Sequence, residues 1–371
     1  MTEARTDKTE TRPRALEGRY YQDPGIYAAE LDRIFARTWQ LVGHVSQLAE
    51  PGRIITAQLG DEGIIVANHK GELRAFYNVC QHRGHTLLPH DVTDVAPRVA
   101  KSIVCPYHVW IYDLGGRLTR ARGEDVGEIC IPSVRLDTMA GFLFANLDPD
   151  ALSLAETLPG IEAELLALAP DAAARTLTAR RTHVIGANWK LAVENYNECY
   201  HCPNVHKAFT SGVVSPASYR VTPRGNIIHH TAVGQGDKAA YSLGDGSDAA
   251  ADYGSFFSWP VSSIQCYPGR VLNTFRWVPL AVDRTLLIRE WWFDGDQGTD
   301  PTPEQNEIID LDWKTTVAED FDLMEEVQRG VVSRGYQPGP LIVHPSGSAD
   351  VNSENAVPHL HELLMAALDP S

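Results

Sequence analysis

Two short segments constrain this chain more than anything else in it: CQHRGH, starting at Cys80, and CPYHVW, starting at Cys105. Each offers one thiol and one imidazole, Cys80 with His82 and Cys105 with His108. Thiolate and imidazole together favour a bound metal centre over a disulfide framework. The surroundings are strand-like. From Leu41 to about Asn146, short runs (RIITAQL, GIIVAN, LRAFYNV, KSIVCP, GFLFANL) alternate between Gly, Asp and Pro turns, which predicts a compact all-β domain.

Two centres can use two thiolates and two imidazoles. Zinc would take all four in one tetrahedron. A Rieske [2Fe–2S] centre puts both cysteines on one iron and both histidines on the other. Zinc fingers usually pair Cys with Cys and His with His across a turn and a helix. Mixed pairs on two loops of a β domain favour the Rieske centre. Arg83, Gly84, Pro106 and Tyr107 suit tight loops that aim N–H groups at sulfur. The long insert between the loops carries PHDVTDVAPR and leaves the ligands intact. His85 and His90, close by, read as loop or surface residues.

The chain of 371 residues is long enough for two domains. No apolar run approaches the roughly 18–20 residues of a membrane span. The N-terminus (MTEARTDKTETRPRALEG) lacks the apolar core of a secretory signal and reads as a mobile arm, so a cytoplasmic location is expected. A net charge of −16 argues against nucleic acid, whose phosphates need clustered Lys and Arg. It would suit a cationic small molecule, but acidity that only maintains solubility is the favoured explanation. Six cysteines in such a chain are not expected to form disulfides.

Asp23-Pro24 is an N-cap followed by proline, opening a helix through GIYAAELDRIFARTWQ. Residues 1–40 are assigned to an arm and helix belonging with the catalytic domain, 41–150 to the cluster domain and 151–371 to the catalytic domain. Residues 151–169 read as helical. A helix is expected from Trp189 through Tyr200, and a long one from about Thr302 to Gln328 with Gly330 as its cap. The Gly- and Asp-rich stretch 234–254 reads as a loop that could act as a lid.

The second constellation is ENYNECYHCPNVH, Glu194 to His206. His201 and His206 are five apart, poorly placed on one helical face, but Pro203 between them allows a turn that brings both to one metal. A carboxylate would complete the two-histidine, one-carboxylate face of non-haem Fe(II) oxygenases. Cys199 and Cys202 read as packing residues, and Trp189 as core.

NWKLAVENYNECYHCPNVHKAF resembles the mononuclear-iron segment of Rieske-type non-haem iron oxygenases, the ring-hydroxylating oxygenase α subunits. With the cluster motif, the resemblance spans about residues 18–335. It implies an α+β chain, an all-β Rieske domain followed by a helix-grip catalytic domain with an antiparallel sheet. His201 and His206 match the iron histidines, and Asp320 in TTVAEDFDLMEEVQRG matches the third ligand, with Glu319 and Asp322 as neighbours. Glu198 matches the acid that bridges to the Rieske histidine of a neighbouring subunit. Most of the family has aspartate there; glutamate is similar to the branch acting on quaternary ammonium compounds such as carnitine, glycine betaine and stachydrine. The resemblance further implies a homotrimer and an NAD(P)H-dependent flavin/[2Fe–2S] reductase, with O2 as co-substrate.

The expected activity is hydroxylation of a small substrate, namely N-demethylation of a quaternary ammonium compound with release of formaldehyde. An aromatic-ring or aromatic-acid dioxygenase and a non-catalytic electron-transfer protein are the alternatives. A cation calls for aromatic faces; Tyr196, Phe209, Tyr253, Phe256 and Trp259 are the candidates. An aromatic acid would instead want a cation such as Arg220 or Arg276.

Overall fold

The computed structural model describes residues 12–89, 97–123, 125–235, 252–269, 271–296, 298–344 and 353–369. Most of the expected arm, His90 with its insert, and most of the Gly/Asp-rich stretch lie outside the described residues. The fold is α+β, built on two large antiparallel sheets.

The first sheet orders Gln40–His44, Phe142–Asn146, Ser133–Met139, Glu72–Tyr77, Glu62–His69, Arg53–Leu59 and Arg98–Val99. A small sheet of Ile103–Val104, Ile111–Tyr112 and Leu118–Arg120 carries the second motif, from Cys105, in the loop between its first two strands. Ile65, Phe76, Ile103 and Tyr112 form the core directly beneath Cys80 and Cys105.

The second sheet orders Thr176–Ile185, Arg284–Phe293, Val271–Ala281, Ser262–Tyr267, Asp252–Ser258, Ile227–Val233 and Arg220–Arg224. Both of its faces are covered, so its central strands read as continuous apolar or buried runs. On one face, Phe256, Ile264 and Trp292 meet Trp39, Phe142 and Phe144 of the first domain and Ile161 and Leu165 of the short helix Ile161–Leu168. On the other, Phe257, Phe275, Trp277 and Trp291 meet helices Trp189–Asn197, Phe321–Val331 and Ala356–Leu368. The functional cavity lies on this second face.

The N-terminal helix, Pro24–Glu30, begins as its sequence dictates. Asp23 Oδ1 accepts from the N–H groups of Gly25 (2.7 Å) and Ile26 (3.3 Å). Its far end is tied to the iron-motif helix: buried Glu30 accepts from Trp189 Nε1 at 2.7 Å and Lys190 Nζ at 2.5 Å. Trp189 is therefore a core residue with a structural hydrogen bond.

The N-terminal helix gives way to a π turn at Leu31–Phe35 well before Gln40, the 151–169 stretch forms two short helices, and the iron-motif and late helices also end elsewhere than expected. The iron-motif helix stops at Asn197, not Tyr200, because Glu198 is extended and its carboxylate captures the N–H groups of Tyr200 and His201. The late helix is capped by Thr302 and runs to Val331, so Gly330 sits inside its last turn. Between Pro303–Asp312 and Phe321–Val331 it is irregular, with a π turn over Trp313–Val317 and a 3₁₀ turn over Ala318–Asp320. Among the described residues, no helix is long and apolar enough to cross a membrane.

Candidate metal centres and the cavity between the helices

The two cluster loops share one backbone plan. Cys80 N–H donates to His85 O and Gly84 N–H to Cys80 O; Cys105 N–H donates to Trp110 O and Val109 N–H to Cys105 O. The fifth residue of each turn is left-handed, Gly84 at φ 70° and Val109 at φ 60°. Glycine adopts that conformation freely, whereas a β-branched residue is strained there by about 1–3 kcal/mol. Both cysteines are buried, while the imidazoles lie toward the surface with ring centroids 4.6 Å apart. His82 stacks on Trp110, and His85 is an exposed loop residue. Two buried thiols behind two outward imidazoles suit a cluster with cysteines on its inner iron and histidines on its outer one.

Cys80 Sγ lies 3.3 Å from the Tyr112 hydroxyl, which also accepts from Gln81 N–H at 3.1 Å. The phenol is thereby left to donate to sulfur. Such a donor favours the reduced, more negative cluster. Tyr112→Phe is expected to lower the cluster's reduction potential by on the order of 50 mV, the equivalent of one hydrogen bond of about 1 kcal/mol. Potentiometric titration of the purified protein reads it directly.

The second centre forms where the iron-motif helix ends. His201 precedes, and His206 follows, a single helical turn, Cys202–Val205, with Pro203 in its first positions. Proline here starts a helix rather than breaking one. The two Nε2 atoms are 3.1 Å apart. Asp320 arrives from the irregular late helix, with Oδ2 3.2 Å from His206 Nε2 and Oδ1 3.7 Å from His201 Nε2. Ligands about 2.1 Å from one metal and roughly at right angles would stand about 3 Å apart, so the three donors fit a single ion. Asp320 Oδ1 is buried without a hydrogen-bond partner, a cost a cation would remove.

Both imidazoles are held from behind by carboxylates. Glu198 Oε1 is 2.5 Å from His201 Nδ1, and Glu319 Oε2 is 2.9 Å from His206 Nδ1. Burial alone would lower the His206 pKa; the Asp320 and Glu319 carboxylates outweigh it and hold it above the ordinary value. Glu319 therefore sits behind His206, and Asp320 is the carboxylate placed beside both Nε2 atoms, where it could complete a three-donor set. Glu319→Leu is expected to weaken mononuclear iron binding by about 10–100-fold, with Glu319→Gln closer to wild type. Iron retention against a graded chelator measures this.

The cavity beside these donors is walled by Tyr196, Phe209, Tyr219, Tyr253, Tyr267, Phe275 and Trp277. Of the five aromatic candidates, Tyr196, Phe209 and Tyr253 line it. Phe256 does not: side chains alternate along Asp252–Ser258, and Phe256 faces the first domain, stacked on His229. Trp259 packs edge-on against Trp189. Tyr219, Tyr267, Phe275 and Trp277 escaped the sequence reading; the alternation of the last two along their strand was the available signal. Arg276 is buried against Glu290, and Arg220 donates to the carbonyls of Ala217 and Tyr219. Neither lines the cavity, whose acidic groups are Glu198 and Asp320.

A buried polar chain sets the wall. Asp312 pairs with Arg289 (2.6 Å) and accepts from Tyr267 and Trp291. Arg289 donates to Gln265 Oε1 at 2.6 Å, which turns the Gln265 amide to donate to Tyr196 (2.8 Å) and Tyr253 (3.1 Å).

Cys199 and Cys202 depart from their expected packing role. They are bonded to each other as a disulfide. The expectation against disulfides rests on chain length and compartment, whereas this pair is set by a local Cys-x-x-Cys turn, with the two Cα atoms 4.9 Å apart.

Residues 38–133 match the Rieske [2Fe–2S] domain family, and residues 173–369 match the ring hydroxylating alpha subunit catalytic domain. The carnitine monooxygenase oxygenase subunit of Escherichia coli strain K12 is 34% identical, over 94% of this chain and 92% of that protein. The glycine betaine monooxygenase oxygenase subunit of Chromohalobacter salexigens is 32% identical, over 86% of this chain and 80% of that one. Among solved structures, a quaternary ammonium Rieske monooxygenase superposes with a TM-score of 0.86 at 28% identity, covering 96% of both chains.

Proposed function

The chain belongs to the ring-hydroxylating α-subunit family of Rieske non-haem iron oxygenases, and from that premise we propose that it N-demethylates a quaternary ammonium compound with release of formaldehyde. The observation that carries this reading is the cavity itself: three metal donors at one end, aromatic walls around it, and only acidic side chains besides the histidines among its charged lining. Aromatic faces attract a quaternary ammonium, which cannot donate a hydrogen bond. The names of the carnitine and glycine betaine relatives point the same way.

When bound, the iron centres supply single-electron transfer and O2 activation. The chain supplies the rest. His201, His206 and Asp320 would hold the mononuclear iron at one end of the cavity. Tyr253 and Trp277 present faces that would orient the trimethylammonium head, and Phe209 closes the wall against water. Insertion of one oxygen atom into an N-methyl C–H bond gives a carbinolamine; the other atom leaves as water, with two electrons and two protons consumed. The carbinolamine then expels formaldehyde and a proton, leaving the demethylated amine.

Electrons are proposed to pass between subunits of a cytoplasmic homotrimer, from the cluster of one to the iron of the next, with Glu198 as the bridge. A head-to-tail interface closes such a ring. The outward imidazoles of His82 and His108 and the partly exposed Glu198–His201 pair suit that route. Inter-subunit electron transfer is described for the matching quaternary ammonium monooxygenase. The proposed electron donor is an NAD(P)H-dependent flavin/[2Fe–2S] reductase.

The test is a panel of betaines, carnitine and choline beside aromatic acids, offered to the iron-loaded protein with such a reductase and NADH. Formaldehyde appearing with a quaternary amine and absent in His201→Ala is the expected result. Oxygenated product from an aromatic acid, with no formaldehyde from any amine, would overturn the reading.

A further inference from the structure

The disulfide between Cys199 and Cys202 closes a loop that contains the iron ligand His201. Both cysteines are buried and both line the cavity. Cys202 also stands among the metal donors: its sulfur and one ring nitrogen from each of His201 and His206 all lie within 4.8 Å of one another. The backbone holds it there, with Cys202 N–H donating to Cys199 O at 3.1 Å and Cys202 O accepting from His206 N–H at 2.9 Å.

A stapling role explains this bond poorly. The stabilisation a disulfide gives by restricting the unfolded chain grows with loop length, and this loop is among the shortest possible. Disulfides in a reducing compartment are more often transient and redox-sensing than structural. Of the other described cysteines, Cys80 and Cys105 lie in the core beneath the cluster loops, Cys266 is in the core under the second sheet and Cys130 is exposed.

We propose that Cys199 and Cys202 are a reversible dithiol–disulfide pair that gates the mononuclear iron. As the disulfide, both sulfurs are committed to each other and the open side of the iron is left to O2 and substrate. As the dithiol, the Cys202 side chain is free to change rotamer, and its thiolate, a strong ligand for iron, occupies an open position. Oxidation by hydrogen peroxide forms the S–S bond: the two thiols lose two protons and two electrons, the O–O bond breaks, and two waters leave. A dithiol reductant reverses this, taking up the disulfide itself and returning two electrons and two protons as thiols. The pair would keep the iron capped under reducing, oxygen-poor conditions and open it when an oxidant is present. The inference rests on the iron site alone and stands or falls independently of which substrate is demethylated.

The test uses iron-loaded holoprotein before and after anaerobic treatment with a phosphine reductant, which adds no thiol of its own. Alkylation and peptide mass spectrometry count free thiols at Cys199 and Cys202. Nitric oxide probes the open side of the mononuclear iron by EPR, and the cluster's visible spectrum reports that the cluster survives. The expected result has both cysteines alkylated only after reduction, and most of the nitric oxide signal lost or changed in shape on reduction. Peroxide should restore it, and Cys202→Ser should abolish the difference. Free thiols in the untreated aerobic protein, or the same nitric oxide signal in both forms of the wild type, would overturn the proposal. The wild-type comparison decides the matter even if the variant fails to fold.

Discussion

Asp320→Ala is expected to abolish turnover and mononuclear iron while the Rieske cluster remains intact. Among the described residues, Asp320 is the sole carboxylate whose oxygens approach both His201 Nε2 and His206 Nε2, at 3.7 and 3.2 Å. Its removal leaves two neutral imidazoles, which neither balance the charge of Fe(II) nor complete the ligand face. The loss should exceed the roughly 10–100-fold that follows from removing a supporting carboxylate such as Glu319. Asp320 belongs to the catalytic domain, whereas Cys80, His82, Cys105 and His108 are carried by the first domain. The visible and EPR signatures of the cluster should therefore match wild type. Iron analysis would show a loss confined to the mononuclear atom. Full iron content in the variant would remove Asp320 from the ligand set.

Asp312→Ala is expected to be the most destabilising single substitution discussed, by about 3–5 kcal/mol. Arg289 and Asp312 are both fully buried, and Asp312 accepts from Arg289, Tyr267 and Trp291 together. Without the carboxylate, a guanidinium is left charged in the core with no counter-ion. The defect should also reach the cavity. Arg289 fixes the Gln265 amide, and Gln265 holds the hydroxyls of Tyr196 and Tyr253. KM should rise along with the fall in melting temperature of the catalytic domain. Asp312→Asn, which retains acceptor oxygen but not charge, should fall between. Calorimetry and substrate-dependent kinetics read the two effects.

The parts of the site that were legible in the sequence are those whose chemistry is local. Cys80, His82, Cys105, His108, His201 and His206 lie in compact motifs in which ligand type and spacing carry the information. Asp320 was reached by resemblance, since nothing local separates it from Glu319 or Asp322; folding does, by giving Glu319 the back of His206 and Asp320 the front. The cavity wall was less legible because the second sheet is covered on both sides. Phe256 and Phe257 are equally apolar neighbours, and only the register of the sheet assigns one to each face. The domain contact that turns Phe256 away involves Trp39 and Phe142, far off in sequence. The bond between Cys199 and Cys202 was passed over because compartment arguments concern disulfides in general, while this pair is set by one tight turn.

The irregular stretch of the late helix acts as a phase adjuster. A π turn over Trp313–Val317 holds more residues than an α turn, so it advances everything after it around the helix axis relative to everything before it. Asp312, upstream, points into the core at Arg289, and Asp320, downstream, points at the histidines. One continuous element thus serves two differently directed sites. Deleting a single residue from 313–317 would rotate one end against the other by about 100°. A gap of one residue at that point would then separate a folded chain from a functional one, with no ligand altered.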